Sequence, residues 1–562
     1  MSRIEDEAMG RRAEDFPIKR LELPQGIRLL ENVYLPMRDG IKVAVDVYLP
    51  EREGAYPVIL GMCPYKKEAQ FLSPNEGFHS EGGDPRFFVP RGYVMVFATV
   101  RGAGFSQGEF TLWGRQEQLD GYDIVEEIAK QPWCDGNIGM FGGSYLGMSQ
   151  WYTAAQRPPH LRCITPIDAC TDIYRDFVYQ LGGMFYRAFM GFWGMNLTDE
   201  LMFPGPVEGK APVPNLYGEW MSHYLDGPYF QERSAIHFLD QIEVPVLAVV
   251  SASGWLHSAG MLRGLAKIKA QPFKVVVGPS IYGTMFSTMY WHNHKFYKYA
   301  LRWLDHWLKG VDTGILDEPP VMVYDGGTGE WRYEDEIPPF TRTEYANFFL
   351  RSGTPGNAEP PQGLLSLEAP TEEEAPDIIK TPRLGPALMQ NKPVLAYVTA
   401  PLEKPITVNG PVSATLYGSI KSIDTSLWAY FVKVGDMAPD GSVRLITKGQ
   451  LKACYRELDE SRSSEQWPWH PFGQAVYLKP DKVYDFLIQV MPIFHTFKEG
   501  HRIWLQIASD DPDYKLDNFA DRVPGPYPAE NAVYHDGLHP SRLMLPVIAE
   551  PNVVERRPEA LF

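Results

Sequence analysis

Between Ile27 and about Pro166, short hydrophobic runs alternate with turn signals and one amphipathic stretch. "YPVILGMC" (56–63), "YVMVFATV" (93–100), "NIGMFG" (137–142) and "RCITPID" (162–168) are apolar at successive positions. A strand with water on one face alternates polar and apolar residues, whereas one packed on both faces does not. The pattern therefore predicts a parallel sheet covered by helices on both sides. "EQLDGYDIVEEIAKQ" (117–131) sets Leu119, Tyr122, Val125 and Ile128 on one stripe with acids opposite, as a crossover helix would. The same idiom returns in "VPVLAVVS" (244–251) and "FKVVVGP" (273–279), followed by the helical "FYKYALRWLDHWLKG" (296–310). These runs predict an α/β core over 1–170 and 244–329, interrupted by an insertion at 171–243.

The insertion is rich in Met, Phe, Tyr, Trp and Gly, as in "FVYQLGGMFYRAFMGFWGMN" (177–196). Aromatics at this density pack a small helical cap, line an apolar pocket, or do both. From 330 to 562 the texture changes: Pro and Gly punctuate short alternating runs such as "PVSATLYGSI", "LWAYFVKVG", "VYDFLIQVMP" and "HRIWLQIAS". Strands at that spacing without helical patterns between them predict an all-β sandwich of the jelly-roll kind. The acidic, Pro-rich "EAPTEEEAPD" (368–377) reads as a solvated excursion.

Composition narrows the function classes. A chain of 562 residues exceeds the size of one hydrophobic core, in keeping with several domains. Its formal net charge of -17 opposes nucleic acid and anionic membranes as partners. The five cysteines, Cys63, Cys134, Cys163, Cys170 and Cys454, are odd in number and in no CxxC spacing, as expected of reduced thiols. The N-terminal "MSRIEDEAMGRRAEDF" lacks the apolar core of a secretion signal, and no run reaches the roughly 18 apolar residues of a membrane span. A cytoplasmic protein acting on an apolar small molecule is expected, with a homo-oligomer left open. "HNH" (292–294) lacks carboxylate or thiol partners at ligand spacing, and "RGAGFSQG" (101–108) lacks the Lys-Ser/Thr of a phosphate loop. Neither a metal nor a cofactor is expected.

The candidate chemistry centres on "NIGMFGGSYLGMSQW" (137–151). An apolar strand ends in small residues, then Ser144, then a helix. That arrangement lifts a serine hydroxyl on a tight turn, where the helix N-terminus favours negative charge. The match to G-x-S-x-G is imperfect, because Leu146 stands where the second glycine should be and Gly147 comes one later. From these residues alone, Ser144 is either a nucleophile or a helix-capping serine.

The longer segment "WCDGNIGMFGGSYLGMSQW" resembles the nucleophile region of the serine hydrolases that include cocaine esterase, glutaryl-7-aminocephalosporanic acid acylase, α-amino-acid ester hydrolase and X-Pro dipeptidyl-peptidase. The likeness extends over nearly the whole chain, through "MRDGIKVAVDVYLP", "CPYKK", "RGYVMVFATVRGAGFSQGEF", "FKEGHRIWLQIASDD" and "NAVYHDGLHPSRLMLPVI". It implies an α/β-hydrolase core, an inserted helical cap and a C-terminal jelly roll. It also implies that Ser144 is the nucleophile. The hydroxyl of Tyr65, in "PYKK", and the backbone N–H of Tyr145 would then form the oxyanion hole, where each donor contributes roughly 3 kcal/mol.

The resemblance breaks at the partners of the serine. The family's acid lies in a segment like "GGWYD" and its base in one like "GPWSH". Here those places read "SGWLH" (253–257) and "GPSIY" (278–282), which puts His257 and Tyr282 there. No Asp or Glu occurs between Glu243 and Asp305, so no carboxylate can occupy the usual acid loop. A serine needs a base near pKa 7 oriented by a carboxylate, and a tyrosine with pKa near 10 is a poor base but a good proton donor. Four readings stay open, the last of them a purely structural role, which Tyr65, Ser144 and the aromatic cap disfavour. One is an esterase or acylase with a rewired triad, in which His257 or His292 is the base and Asp168 the acid. Another is a non-hydrolytic lyase, isomerase or cyclase that uses Ser144, Tyr282 and His257 for hydrogen bonding and proton transfer. The third is a binding module that keeps the pocket without catalysis.

Overall fold

Apolar runs at successive positions become strands buried on both faces. The computed structural model describes residues 23, 25–67, 80–252, 256–269, 272–279, 294–338, 341–353, 363–381, 394–422, 428–509 and 529–548. Among these, one sheet holds β1 (Ile27–Pro36), β2 (Lys42–Pro50), β3 (Tyr56–Cys63), β4 (Val94–Thr99), β5 (Cys134–Gly143), β6 (Leu161–Ile167), β7 (Val246–Ser251), β8 (Phe273–Gly278), β9 (Val321–Tyr324) and β10 (Trp331–Glu334). Their order is β1-β2-β4-β3-β5-β6-β7-β8-β9-β10. Neighbours from β4 to β9 run parallel, while β1, β2 and β10 are antiparallel additions at the edges. Along β3, Val58, Leu60 and Met62 enter one core and Ile59 the other; along β4, Val94 and Val96 oppose Met95 and Phe97. Successive side chains point to opposite faces, so a strand with helices on both sides must be apolar throughout.

The longer helices of the described residues flank or cap the sheet: α1 (Arg115–Ala129), α2 (Ser144–Ala155), α3 (Arg187–Met202), α4 (Leu216–Ser222), α5 (Ser258–Leu265) and α6 (His294–Lys309). Helices α1 and α2 add to the first core, and α6 packs Phe296, Trp303, Leu304 and Leu308 into the second. The buried stripe of α1 is rotated from the expected one. Val125 and Ile128 are buried as anticipated, but Leu119 and Tyr122 are only half-buried, and Glu117, Asp120, Gly121 and Ile124 take the inner positions. Two contacts cause the rotation. A Cβ on Gly121 would stand 2.2 Å from Thr153 Oγ1, so α1 and α2 meet there, and Asp120 accepts from Arg101 Nε at 2.5 Å.

The chain leaves β3 toward β4 on one side, while β5 lies on the other. The strand order therefore reverses between β3 and β5, at whose carboxyl ends a ligand crevice forms in open α/β sheets. Over this end lie a turn of π-helix (Ile173–Val178), α3 and α4, with Trp193 stacked on Trp220 at 5.6 Å and on Trp113 at 6.3 Å.

The remaining strands are β11 (Thr343–Ser352), β12 (Gly363–Ser366), β13 (Asp377–Thr381), β14 (Val394–Val398), β15 (Ile406–Lys421), β16 (Ala429–Met437), β17 (Val443–Lys452), β18 (Tyr484–Phe497), β19 (Arg502–Ala508), β20 (Ala529–Tyr534) and β21 (Arg542–Ile548). The expected jelly-roll sandwich is here a closed barrel. The ladder β15-β18-β17-β16-β19-β14-β12-β11-β21 returns to β15, with β13 and β20 as a side branch. Closure depends on β15, 16 residues long and irregular between Gly410 and Val412: one edge pairs with β18, the other with β21 and then β20. A bulge adds bend and twist, and a ladder that closes leaves no edge to protect. Arg175 of the π-turn joins cap to barrel, bonding Asp172 at 2.9 Å, Asp226 at 2.6 Å and the His470 carbonyl at 2.8 Å. Among the described residues, no helix is long and apolar enough to cross a membrane.

Candidate active site

Ser144 begins α2 with a φ of +51°. A non-glycine residue in the left-handed region at a strand–helix junction is what a sharp nucleophile turn requires. The glycine pattern around it follows from packing. At Gly142, φ is +150°, and a Cβ there would stand 2.6 Å from Leu146 Cβ. Leu146 occupies room that glycines leave open: a Cβ on Gly61 or Gly82 would approach its Cδ2 to 2.9 or 3.0 Å. Fully buried, this leucine side chain contributes roughly 2 kcal/mol. Close approach is needed one residue later, where a Cβ on Gly147 would lie 2.8 Å from the Ile167 carbonyl oxygen. The second glycine is thus displaced because α2 presses on the end of β6 at 147 rather than at 146.

A cavity of about 20 Å³ opens at Ser144. Gly143 and Ser144 form its floor, Tyr65 and Glu81 one wall, Ile167, Asp168, Leu256 and His257 another, and Phe189 and Trp193 reach it from the cap. Trp193 Nε1–H donates to Tyr65 Oη at 3.1 Å, which polarises the phenol as a donor in its turn. Burial pushes the Tyr65 pKa well above its ordinary value, so it stays a phenol. Beside it, Tyr145 donates to Glu117 Oε1 at 2.6 Å, Trp113 N–H donates to Glu117 Oε2 at 3.0 Å, and the Trp113 ring lies 4.4 Å from that of Tyr145. Burial pushes the Glu117 carboxyl up to about 7. These contacts anchor the first turn of α2, whose N–H groups have no partner within the helix.

The other wall is built differently. His257 precedes α5 and is 7% exposed; its Nδ1 accepts from the Cys170 N–H at 3.3 Å. A nitrogen that accepts carries no proton, so the neutral ring holds its hydrogen on Nε2. Burial pushes this imidazole down to about 3, and it is neutral at pH 7. Asp168, with φ +41°, accepts from the Ser251 N–H at 2.7 Å and from Ser251 Oγ–H at 2.8 Å, and burial pushes its carboxyl up to about 6. Asp168 and His257 line one cavity, yet among the described residues no hydrogen bond joins them, and none joins Ser144 Oγ to an imidazole. The anticipated orientation of His257 by Asp168 is replaced by a backbone N–H for the ring and by Ser251 for the carboxylate. Trp113 (φ +57°), Ser144 and Asp168 bring three left-handed, non-glycine residues to one place. Such strain clusters where function over-determines the backbone.

Residues 39–283 match the X-Pro dipeptidyl-peptidase (S15 family), and residues 313–544 match the X-Pro dipeptidyl-peptidase C-terminal non-catalytic domain. The chain belongs to the S15 family. This is a hydrolase family of serine esterases and peptidases. The S15 chain is 27% identical to the cocaine esterase of Rhodococcus sp. (strain MB1 Bresler), over 92% of this chain and 98% of that one. It shares its fold with a CocE/NonD family hydrolase from Staphylococcus aureus (TM-score 0.79, 21% identity, 95% and 99% of the two chains). An α-amino acid ester hydrolase also has this fold (TM-score 0.72, 20% identity, 95% and 99%).

Of the residues singled out from the sequence, Ser144, Tyr65, Tyr145, His257 and Asp168 come together at the carboxyl ends of β3, β5, β6 and β7. Tyr282 and His292 lie outside the described residues. Sequence reasoning passed over Glu81, Glu117, Trp113, Phe189 and Trp193 as individual site residues. Glu117 had a faint signal: it begins the amphipathic stretch as one of the acids assigned to the wet face. Glu81 sits in "SEGGDP", whose glycines announce only a turn. Among the described residues, no group of three or more His, Cys, Asp or Glu is placed to hold a metal ion.

Proposed function

We propose that this S15 chain binds the ester or amide carbonyl of an apolar small molecule at Ser144 and hydrolyses it with an atypical set of proton-transfer groups. The Tyr65 hydroxyl and Tyr145 N–H receive the carbonyl oxygen in this reading. The left-handed φ of Ser144 beneath the aromatic cap is the observation that carries it. A backbone held there costs about 1–3 kcal/mol, an expense that a merely capping serine has no reason to incur. Ile167, Phe189, Trp193 and Leu256 favour an apolar substrate.

A second reading is favoured by His257. An imidazole pushed down to about 3 is a weak base, while its Nε2–H is a good donor. Ser144, Tyr65 and His257 would then hydrogen-bond a carbonyl without covalent attack, as suits a lyase, isomerase or cyclase. A fluorophosphonate probe with p-nitrophenyl butyrate as test ester separates the two. Hydrolysis predicts labelling at Ser144, and a loss of turnover of about 10³-fold or more in Ser144→Ala. Unlabelled Ser144 together with no ester turnover by the wild type ends the hydrolytic reading and leaves the second.

A further inference from the structure

Glu81 occupies the short turn Ser80–Gly82 between β3 and β4. Its peptide oxygen lies 3.1 Å from where a Cβ on Gly142 would stand, so the turn is pressed against the strand end that presents Ser144. Its side chain is 3% exposed and lines the cavity with Ser144, Tyr65, Asp168 and His257. Among the described residues, Oε2 is buried without a hydrogen-bond partner. Native proteins leave few buried polar atoms unsatisfied, and those that remain call for an explanation.

Among the described residues, no structural partner supplies one. The two lysines that follow Tyr65 in the chain are engaged elsewhere, Lys66 with Glu200 at 3.8 Å and Lys67 with Asp46 at 3.0 Å. Neither Ser144 nor His257 hydrogen-bonds Glu81 among the described residues. The sequence offered the position nothing but a turn, so local geometry does not demand an acid.

We propose that Glu81 is a further ligand-contacting residue of this cavity, its carboxyl group hydrogen-bonding the oxygen of a carbonyl ligand seated at Ser144. Burial pushes the Glu81 pKa well above the usual carboxylate range, so the group holds a proton and has an O–H to donate. The proposal rests on the carbonyl-binding reading of Ser144 and Tyr65, and is indifferent to whether hydrolysis follows.

Acetophenone carrying ¹³C at its carbonyl is a suitable probe, since it has one oxygen and no bond to hydrolyse. Infrared spectroscopy reads its carbonyl stretch, and calorimetry its affinity, on the full-length wild type, Glu81→Gln, Glu81→Leu and Tyr65→Phe. The stretch of the bound ketone is expected to fall in the wild type. Glu81→Leu should return it toward the free value and weaken binding about 10-fold, while Glu81→Gln, whose amide still donates, should stay within about 3-fold. If Glu81→Leu does not fold, the wild-type protein still reports: a protonated carboxyl band absent from Glu81→Gln must shift when the ketone binds. A ketone stretch altered by Tyr65→Phe but equal in wild type and both Glu81 variants overturns the role of Glu81 alone, as does a carboxyl band that ignores the ketone. A stretch that Tyr65→Phe also leaves unchanged, or a ketone that does not bind, overturns the carbonyl-binding reading and the Glu81 proposal with it.

Discussion

The carboxyl ends of β3 and β5 carry Tyr65 and Ser144; the carboxyl ends of β6 and β7 carry Asp168 and His257. All four residues border one small cavity, but they are held by different means. Ser144 is set by backbone: a left-handed turn, glycines at 142 and 147 that admit close contact, and a helix whose first turn is pinned through Tyr145 and Glu117. Asp168, also left-handed, accepts two hydrogen bonds from Ser251, His257 accepts one from the Cys170 N–H, and each is driven toward its uncharged form by burial. The half that would receive a carbonyl is over-determined. In the half that would move a proton, Asp168 and His257 are not hydrogen-bonded to each other among the described residues. The two halves share a cavity but are positioned by separate contacts, Tyr145–Glu117 on one side and Ser251 and the Cys170 N–H on the other.

This contrast is open to attack at several points. The largest effect is expected from Tyr65→Phe, which should lower kcat on p-nitrophenyl butyrate by about 10²-fold or more with little change in KM. If His257→Asn lowers it as far, the two halves are not distinct and the comparison falls. Gly147→Ala should cost about 1–3 kcal/mol of stability in urea unfolding, since its methyl group would meet the Ile167 carbonyl at 2.8 Å.

Next in size is the pH dependence of stability. The folded pKa of His257, about 3, lies below the ordinary 6.5, so between those values the unfolded chain binds the extra proton and stability falls as pH falls. His257→Asn keeps an acceptor for the Cys170 N–H and removes this titration. It should flatten the slope of unfolding free energy between pH 4 and 6 by up to about 1.4 kcal/mol per pH unit. Glu117 and Asp168 have raised pKa values and act with the opposite sign, but they are common to both proteins and cancel in the difference. The smallest effect should come from Trp193→Phe, which keeps a ring in the cap and deletes the donor to Tyr65. A loss of about 3- to 10-fold in kcat, absent when Tyr65 is already Phe, would show that the indole acts through the phenol.

Much of the frame was legible because burial writes itself as a period. β3 to β8 are apolar on both faces since helices cover both, and a reader of the sequence needs no coordinates to see it. The stripe of α1 misled for a definite reason: Glu117 and Asp120 look like solvent-facing acids, but one accepts from Tyr145 and the other from Arg101, contacts made across 28 and 19 residues. The C-terminal strands were equally plain, while their closure into a barrel depended on how one long, bulged strand shares its edges.

At the site the division is sharper. Composition and order alone established that Ser144 follows a buried strand and opens a helix, and that residues 244–304 contain no carboxylate; chain connectivity suffices for both. Only the tertiary structure decided that Leu146 lies in room left by three glycines, that the His257 ring accepts a backbone N–H, and that Glu81 lines the Ser144 cavity with an oxygen unpartnered among the described residues. Hydrophobic periodicity is a property of neighbours along the chain. The protonation and partners of a buried side chain are properties of neighbours in space, and those exist only once the sheet, the cap and their turns have closed over the same point.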